Sequence, residues 1–173
     1  MEAVDRYLHL VRHTTAVAFG KQEPGPFLLK RPSLSGVRVA APEQIQFMTV
    51  AGTTGIDPYA AEWRILRVEK REGNPYQDRI SIGRASNCDL VLRVPFISKV
   101  QAHILCESDG KYALRALGKS NPTVVNGRHL EVNATCPLKF GDLIGFGPMH
   151  LEFLDSARLY SVLASDARAT AAR

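Results

Sequence analysis

The chain has 173 residues and a net charge of +5, from 22 Lys and Arg against 17 Asp and Glu. Its 45% hydrophobic and 23% charged residues are ordinary for a globular chain, and the length fits one domain with extensions around a sizeable core. No apolar run approaches the roughly eighteen residues of a membrane span, and the positive excess is scattered rather than interleaved with aromatics, so neither membrane nor nucleic acid is the expected partner.

The opening "MEAVDRYLHLVRH" begins acidic and lacks the continuous apolar stretch of a secretory signal. Residues 3 to 19 are predicted helical, because Val4, Tyr7, Leu8, Val11 and Ala18 recur at helical spacing and Gly20 stands where such a helix would end. Leu8 and Val11 would then face a partner surface. The run "LVRHTT" is similar to the Arg-His-Gly motif of histidine phosphatases, but Thr14 follows His13 where that motif has glycine. No second His-containing catalytic segment follows, so His13 reads as a helix-surface residue. Pro24, Gly25, Pro26 and Pro32 then punctuate a short apolar piece, Phe27 to Leu29. Val37 to Ala40 and Gln44 to Val50 have the make-up of strands, and "AGTTGIDPY" that of a loop. Residues 1–62 are thus expected to form an extension, helix plus irregular segment, packed on the domain that follows.

From Trp63 the pattern becomes regular. "WRILRVEK" alternates, with Trp63, Ile65 and Val68 offering a core face. "RISIG", "DLVL", "AHILCE", "KYALRAL", "TVV", "HLEV", "CPLK", "DLIGFG" and "MHLEFL" read as further strands. Ser108-Asp109-Gly110 marks a hairpin, Asn126-Gly127 suits a turn with two positive φ angles, and Gly141-Asp142 and Gly147-Pro148 mark the last turns. About ten or eleven short strands, with turns every eight to twelve residues or so, indicate a mainly β sandwich or barrel. After Leu154 a short helix is expected. Asp155 or Ser156 can cap it, Leu159, Val162 and Leu163 form its stripe, and "SDARATAAR" frays.

Within this β region three connections carry polar residues: Gly83-Arg84, then Ser98-Lys99 with His103 beyond, then Ser120-Asn121 ahead of Asn126-Gly127. An arginine, small hydroxyls and an amide on loops over a β scaffold are the parts of an oxyanion-binding surface. Nothing in the set pairs a nucleophile with a base. "GRASNCDLVL", "ISKVQAH" and "SNPTVVNG", in that order, make the chain resemble the forkhead-associated (FHA) domain, over about residues 63–155. The departures are Lys99 for an arginine, Pro122 for a glycine, Ala116 for an acidic residue and Lys119 for a small one.

The resemblance selects the sandwich and implies a non-catalytic module that binds phosphothreonine peptides. It implies that Arg84, Ser98 and Lys99 contact the phosphate, that Ser120 helps hold the phosphothreonine, and that Asn121 bonds the peptide main chain. It also implies that His103 braces the serine-bearing loop and that Gly83, Asn126 and Gly127 are structural supports. The expected partner is a phosphothreonine-containing protein, a kinase or its substrate. The alternative is an FHA-fold scaffold that grips an unphosphorylated protein through another face. No metal cluster or nucleotide loop is legible, Gly20-Lys21 lacking the glycine spacing of a phosphate loop, and no cofactor is expected. Cys88, Cys106 and Cys136, odd in number and without CxxC spacing, fit free thiols in a reducing, cytoplasmic setting. The division is therefore an extension at 1–62, an FHA domain at 63–155 and a C-terminal helix with tail at 156–173.

Overall fold

The computed structural model describes residues 4–32, 61–107 and 109–171. The strands foreseen at 37–40 and 44–50, the loop after them and Ser108 of the foreseen hairpin turn lie outside those residues. The chain begins with helices α1 (Val4–His13) and α2 (Ala16–Gln22), then β1 (Phe27–Lys30) and β2 (Arg64–Arg67). It continues through β3 (Arg79–Gly83), β4 (Leu90–Val91), β5 (Ala102–Cys106), β6 (Tyr112–Ala116), β7 (Thr123–Val125) and β8 (Arg128–Leu130). It closes with β9 (Thr135–Leu138), β10 (Leu143–Phe146), β11 (Met149–Leu154) and α3 (Ser156–Ala171). The strands form the expected sandwich. One sheet has the order β2-β1-β11-β10-β7-β8 and the other β4-β3-β5-β6-β9. The β3–β4 pair is parallel, through Ile82↔Leu90 and Gly83↔Val91.

Alternation places the core. Ile80 and Ile82 of β3, Ala102 and Ile104 of β5 and Leu114 of β6 face the other sheet, where they meet Leu28, Val125, Ile144, Phe146, Leu151 and Phe153. The outward positions of β3 and β5, Ser81 and His103, are half-buried cross-strand partners. The other sheet is different at its β1 end, where both faces are covered and β1 is buried at every position. Leu28 points into the sandwich, whereas Phe27 and Leu29 join Tyr7, Val11, Phe19, Ile65, Leu154, Leu159 and Leu163 in a second core under the helices. The same two-sided cover explains the adjacent burial of Ile65 and Leu66, one in each core, where strict alternation would expose one of them.

The N-terminal segment differs from the single helix expected over 3–19. The helix breaks at Thr14-Thr15: the Thr14 hydroxyl turns back to the Leu10 carbonyl at 2.7 Å, and Thr15, extended at φ −86° and ψ 161°, caps α2 by accepting from the Ala18 N–H. Gly20 lies inside α2 rather than ending it. Val11 is buried in the second core instead of facing an outside partner, while Leu8 is half-buried and His13 exposed. Phe27–Lys30, assigned by the sequence division to the extension, is a strand between β2 and β11. Asp155 caps α3 through the Arg158 N–H at 2.8 Å, and the helix runs on to Ala171 through the alanine-rich segment expected to fray.

Candidate functional site

The polar connections foreseen in the sequence are β3–β4, β4–β5 and β6–β7, and backbone bonds zip the first two together. The Arg84 N–H donates to the Ser98 carbonyl at 2.9 Å and the Ala85 N–H to the Lys99 carbonyl at 3.0 Å. Gly83 is required here. A Cβ would collide with the Lys99 carbonyl oxygen and the Val100 Cα, so the strand end and the serine loop can approach only without a side chain. Arg84 is exposed and uses its Nε–H on the Ile97 carbonyl at 3.1 Å. No carboxylate among the described residues pairs with its guanidinium.

Asp89, the acid nearest in sequence, is fully engaged elsewhere. Its carboxylate accepts the Ser81 N–H and hydroxyl, both at 2.6 Å, the Arg71 N–H at 2.9 Å and the Asn74 amide. Burial works against its charge, but these bonds, led by those from Ser81, hold the carboxyl below its ordinary pKa.

The second and third connections are tied by Gln101, which sequence reasoning passed over. Its buried side chain accepts the Ser98 N–H at 3.0 Å and donates to the Asn121 carbonyl and the Thr123 hydroxyl, each at 3.1 Å. Its own carbonyl accepts from Leu117 and Gly118. Gly118 makes room for this side chain, since a Cβ there would overlap the Gln101 amide. Asn121 completes the tie by donating its Nδ2–H to the Phe96 carbonyl at 2.6 Å. Its Oδ1 carries no hydrogen bond among the described residues and is left to accept one.

No hydrogen bond among the described residues joins His103 to the serine-bearing loop it was expected to brace. His103 sits on the outer face of its sheet, opposite Ser81 and Arg115, while the Ser98 loop is held by Gln101. Regular alternation would put Gln101 and His103, two residues apart, on one face; the ladder begins only at Ala102, so Gln101 lies outside it and turns inward between the loops. Burial, then the charges of Arg79 and Arg115, push the His103 pKa down and favour the neutral imidazole.

Ser98 Oγ is buried and without a hydrogen-bond partner among the described residues. Lys99 is exposed, its carbonyl also taking the Cys88 thiol at 3.3 Å. Ser120 is exposed at the outer end of the third connection, and no bond among the described residues ties it to the other two. Asn126 and Gly127 form the expected turn at φ 51° and 81°. Asn126 also clamps the neighbouring β9–β10 connection, donating to Asp142 at 2.8 Å and accepting the Leu143 N–H at 2.8 Å. The three cysteines are free, Cys88 buried and the others half-buried.

The fold is thus a two-sheet β-sandwich whose connections carry the Arg84 guanidinium, the Ser98 hydroxyl and the Asn121 amide oxygen. Residues 80–147 match the family model of the FHA domain. Among solved structures the chain is similar to the N-terminal FHA domain of Rad53p from S. cerevisiae in complex with a phosphothreonine peptide. The identity is 22% over 57% of this chain and 90% of that one, with a TM-score of 0.47. It is similar to the MEK1 FHA domain in complex with a phosphothreonine peptide of HOP1, at 26% identity over 53% and 88% of the two chains and a TM-score of 0.43. The FHA domain of CT664 from Chlamydia trachomatis is 17% identical over 76% and 98%, with a TM-score of 0.48. No curated protein sequence matches. Among the described residues no helix is long and apolar enough to cross a membrane.

Proposed function

We propose that this chain is a non-catalytic module that binds a phosphothreonine-containing segment of a partner protein, a Ser/Thr kinase or its substrate. Arg84 provides the principal phosphate contact, because a guanidinium can donate two parallel bonds to one phosphate. The Ser98 hydroxyl adds a donor and Lys99 a point charge. Ser120 lies beside the phosphothreonine, and Asn121 accepts a main-chain N–H of the peptide through Oδ1. Recognition residues fall within 63–155, while 1–62 and 156–173 support them. The free thiols fit a cytoplasmic setting.

The observation that carries this reading is a pair of unmet needs. The Arg84 guanidinium has no acid among the described residues, and the buried Ser98 Oγ has no partner. The two residues are held face to face through the Arg84 N–H and the Ser98 carbonyl. A buried unsatisfied hydroxyl costs about 1–3 kcal/mol. A doubly charged anion with three acceptor oxygens answers both needs at once.

Arg84→Ala tests it. A charge-assisted bond contributes about 1.5–3 kcal/mol, so the variant should bind a phosphothreonine peptide selected from an oriented library at least about tenfold more weakly. The urea midpoint should move little, since the side chain is exposed and gives up only its bond to the Ile97 carbonyl. Equal affinity in calorimetric titration removes Arg84 from the site. A partner captured equally well after phosphatase treatment supports instead the scaffold that binds an unphosphorylated protein.

A further inference from the structure

The outer face of the five-stranded sheet carries a groove of about 560 Å³ lined by Arg71, Tyr76, Arg79, Asn87, Val100 and His103, among others. It adjoins the phosphate loops. Asn87 belongs to the same connection as Arg84, and Val100 directly follows Lys99. Gln101 points inward between Ser98 and Asn121, whereas Val100 and His103 face outward. The groove and Asn121 therefore lie on opposite sides of the serine loop.

Tyr76 is 56% exposed and Val100 37%, and both stand open in the same groove. The Tyr76 ring is backed by the Arg79 guanidinium, 4.6 Å from the ring centroid, and Arg79 is itself held by two bonds of 3.0 Å to Asp78. The acid on the groove floor, Asp89, is saturated by Ser81, Asn74 and the Arg71 N–H, and Arg71 directs its guanidinium to the Ser86 carbonyl. Asp89, Ser81, Asn74 and Arg79 are thus engaged internally, Glu72, Asn87 and His103 add polar edges, and the apolar surface left to a ligand is Tyr76 with Val100.

We propose that this groove takes an apolar side chain of the phosphorylated partner, on the flank of the phosphothreonine away from Asn121, with Tyr76 and Val100 as its walls. The proposal rests on the reading of Arg84 and Ser98 as the phosphate site. An extended peptide advances about 3.3 Å per residue. A segment anchored by its phosphate at Arg84 therefore passes over Val100 within a few residues. The groove adds sequence preference to a contact that otherwise reads only charge.

The experiment is an oriented phosphothreonine-peptide selection with the native protein and with Tyr76→Ala, followed by titration of the selected peptide and its alanine-flanked counterpart. The native protein should select an aliphatic or aromatic residue at one position on a single flank. Tyr76→Ala should lose that preference and bind the selected peptide about tenfold more weakly, the worth of one partly buried apolar side chain. Its affinity for the alanine-flanked peptide should not change. Val100→Ser should behave alike. Selection without a flank preference, or a selected peptide that both variants bind as tightly as the parent, overturns the groove while leaving the phosphate site standing. If the native protein selects no phosphothreonine peptide at all, the groove and the proposed function fall together.

Discussion

Gln101 is completely buried, and its amide serves three loop groups: the Ser98 N–H, the Asn121 carbonyl and the Thr123 hydroxyl. Each bond contributes about 1 kcal/mol net, and a buried group left without a partner costs more. Gln101→Ala should therefore lower stability by about 3 kcal/mol, read as a fall in urea midpoint at constant slope. It should also weaken phosphopeptide binding although Gln101 touches no ligand, because Ser98 and Asn121 lose their common anchor. An unchanged midpoint would refute the anchoring role. The turn at Asn126 and Gly127 was legible in the sequence because its chemistry is local, two positive φ angles, whereas Gly83 and Arg84 were named through the resemblance to the FHA domain. Gln101 and Gly118 were not. Their meaning depends on two connections far apart in the chain meeting at one amide, and nothing in "KVQAH" or "ALGKS" announces that meeting. His103, the more conspicuous side chain, drew the bracing role, while the hydrogen bond to the Ser98 loop comes from Gln101.

Elements show the same boundary between local and distant causes. The strands of the five-stranded sheet could be read by alternation, since its outward positions are half-buried or polar. β1 could not, because it is buried on both faces and so has no period. The split of α1 from α2 likewise depends on the Thr15 cap and on Tyr7, Val11 and Phe19 turning toward α3 and β1. Glu23 fixes this arrangement. Its side chain, 2% exposed, pairs with Arg6 of α1 and Arg67 of β2, while its carbonyl takes the Ser156 hydroxyl at the start of α3 at 2.6 Å. Removing one member of a buried ion pair costs about 3–5 kcal/mol. Glu23→Gln should fall at the low end of that range, because Arg6 is half exposed and can turn to water. The loss should appear in the urea transition, with phosphopeptide affinity unaltered at low denaturant. A variant as stable as the parent would mean that apolar packing alone holds the helices.

At the scale of the whole molecule the question is whether residues 63–155 stand alone. The loops proposed for recognition lie inside that span, and so does the match to the FHA family model at 80–147. The core does not respect it. β1 lies between β2 and β11, paired through Leu28↔Leu66 on one side and Leu28↔Phe153 on the other. Without β1, β2 has no neighbour in its sheet among the described residues, where its only pairing is to β1. Leu28 vanishes from the sandwich core. Ile65 and Leu154, each 3% exposed or less, lose Tyr7, Phe19, Phe27 and Leu29 as cover. Fully burying one such side chain is worth about 1.5–3 kcal/mol, and a domain has only about 5–15 kcal/mol in all. A chain that begins at Trp63 should therefore show no cooperative urea transition and should bind no phosphothreonine peptide, even though every proposed contact residue is present. Adding residues 1–32 as a separate peptide should restore part of both signals, because that segment carries β1 and the helices that cover it. Cooperative unfolding of the shortened chain, with native affinity, would instead show that the sandwich closes over the gap and that the helical layer is dispensable for recognition.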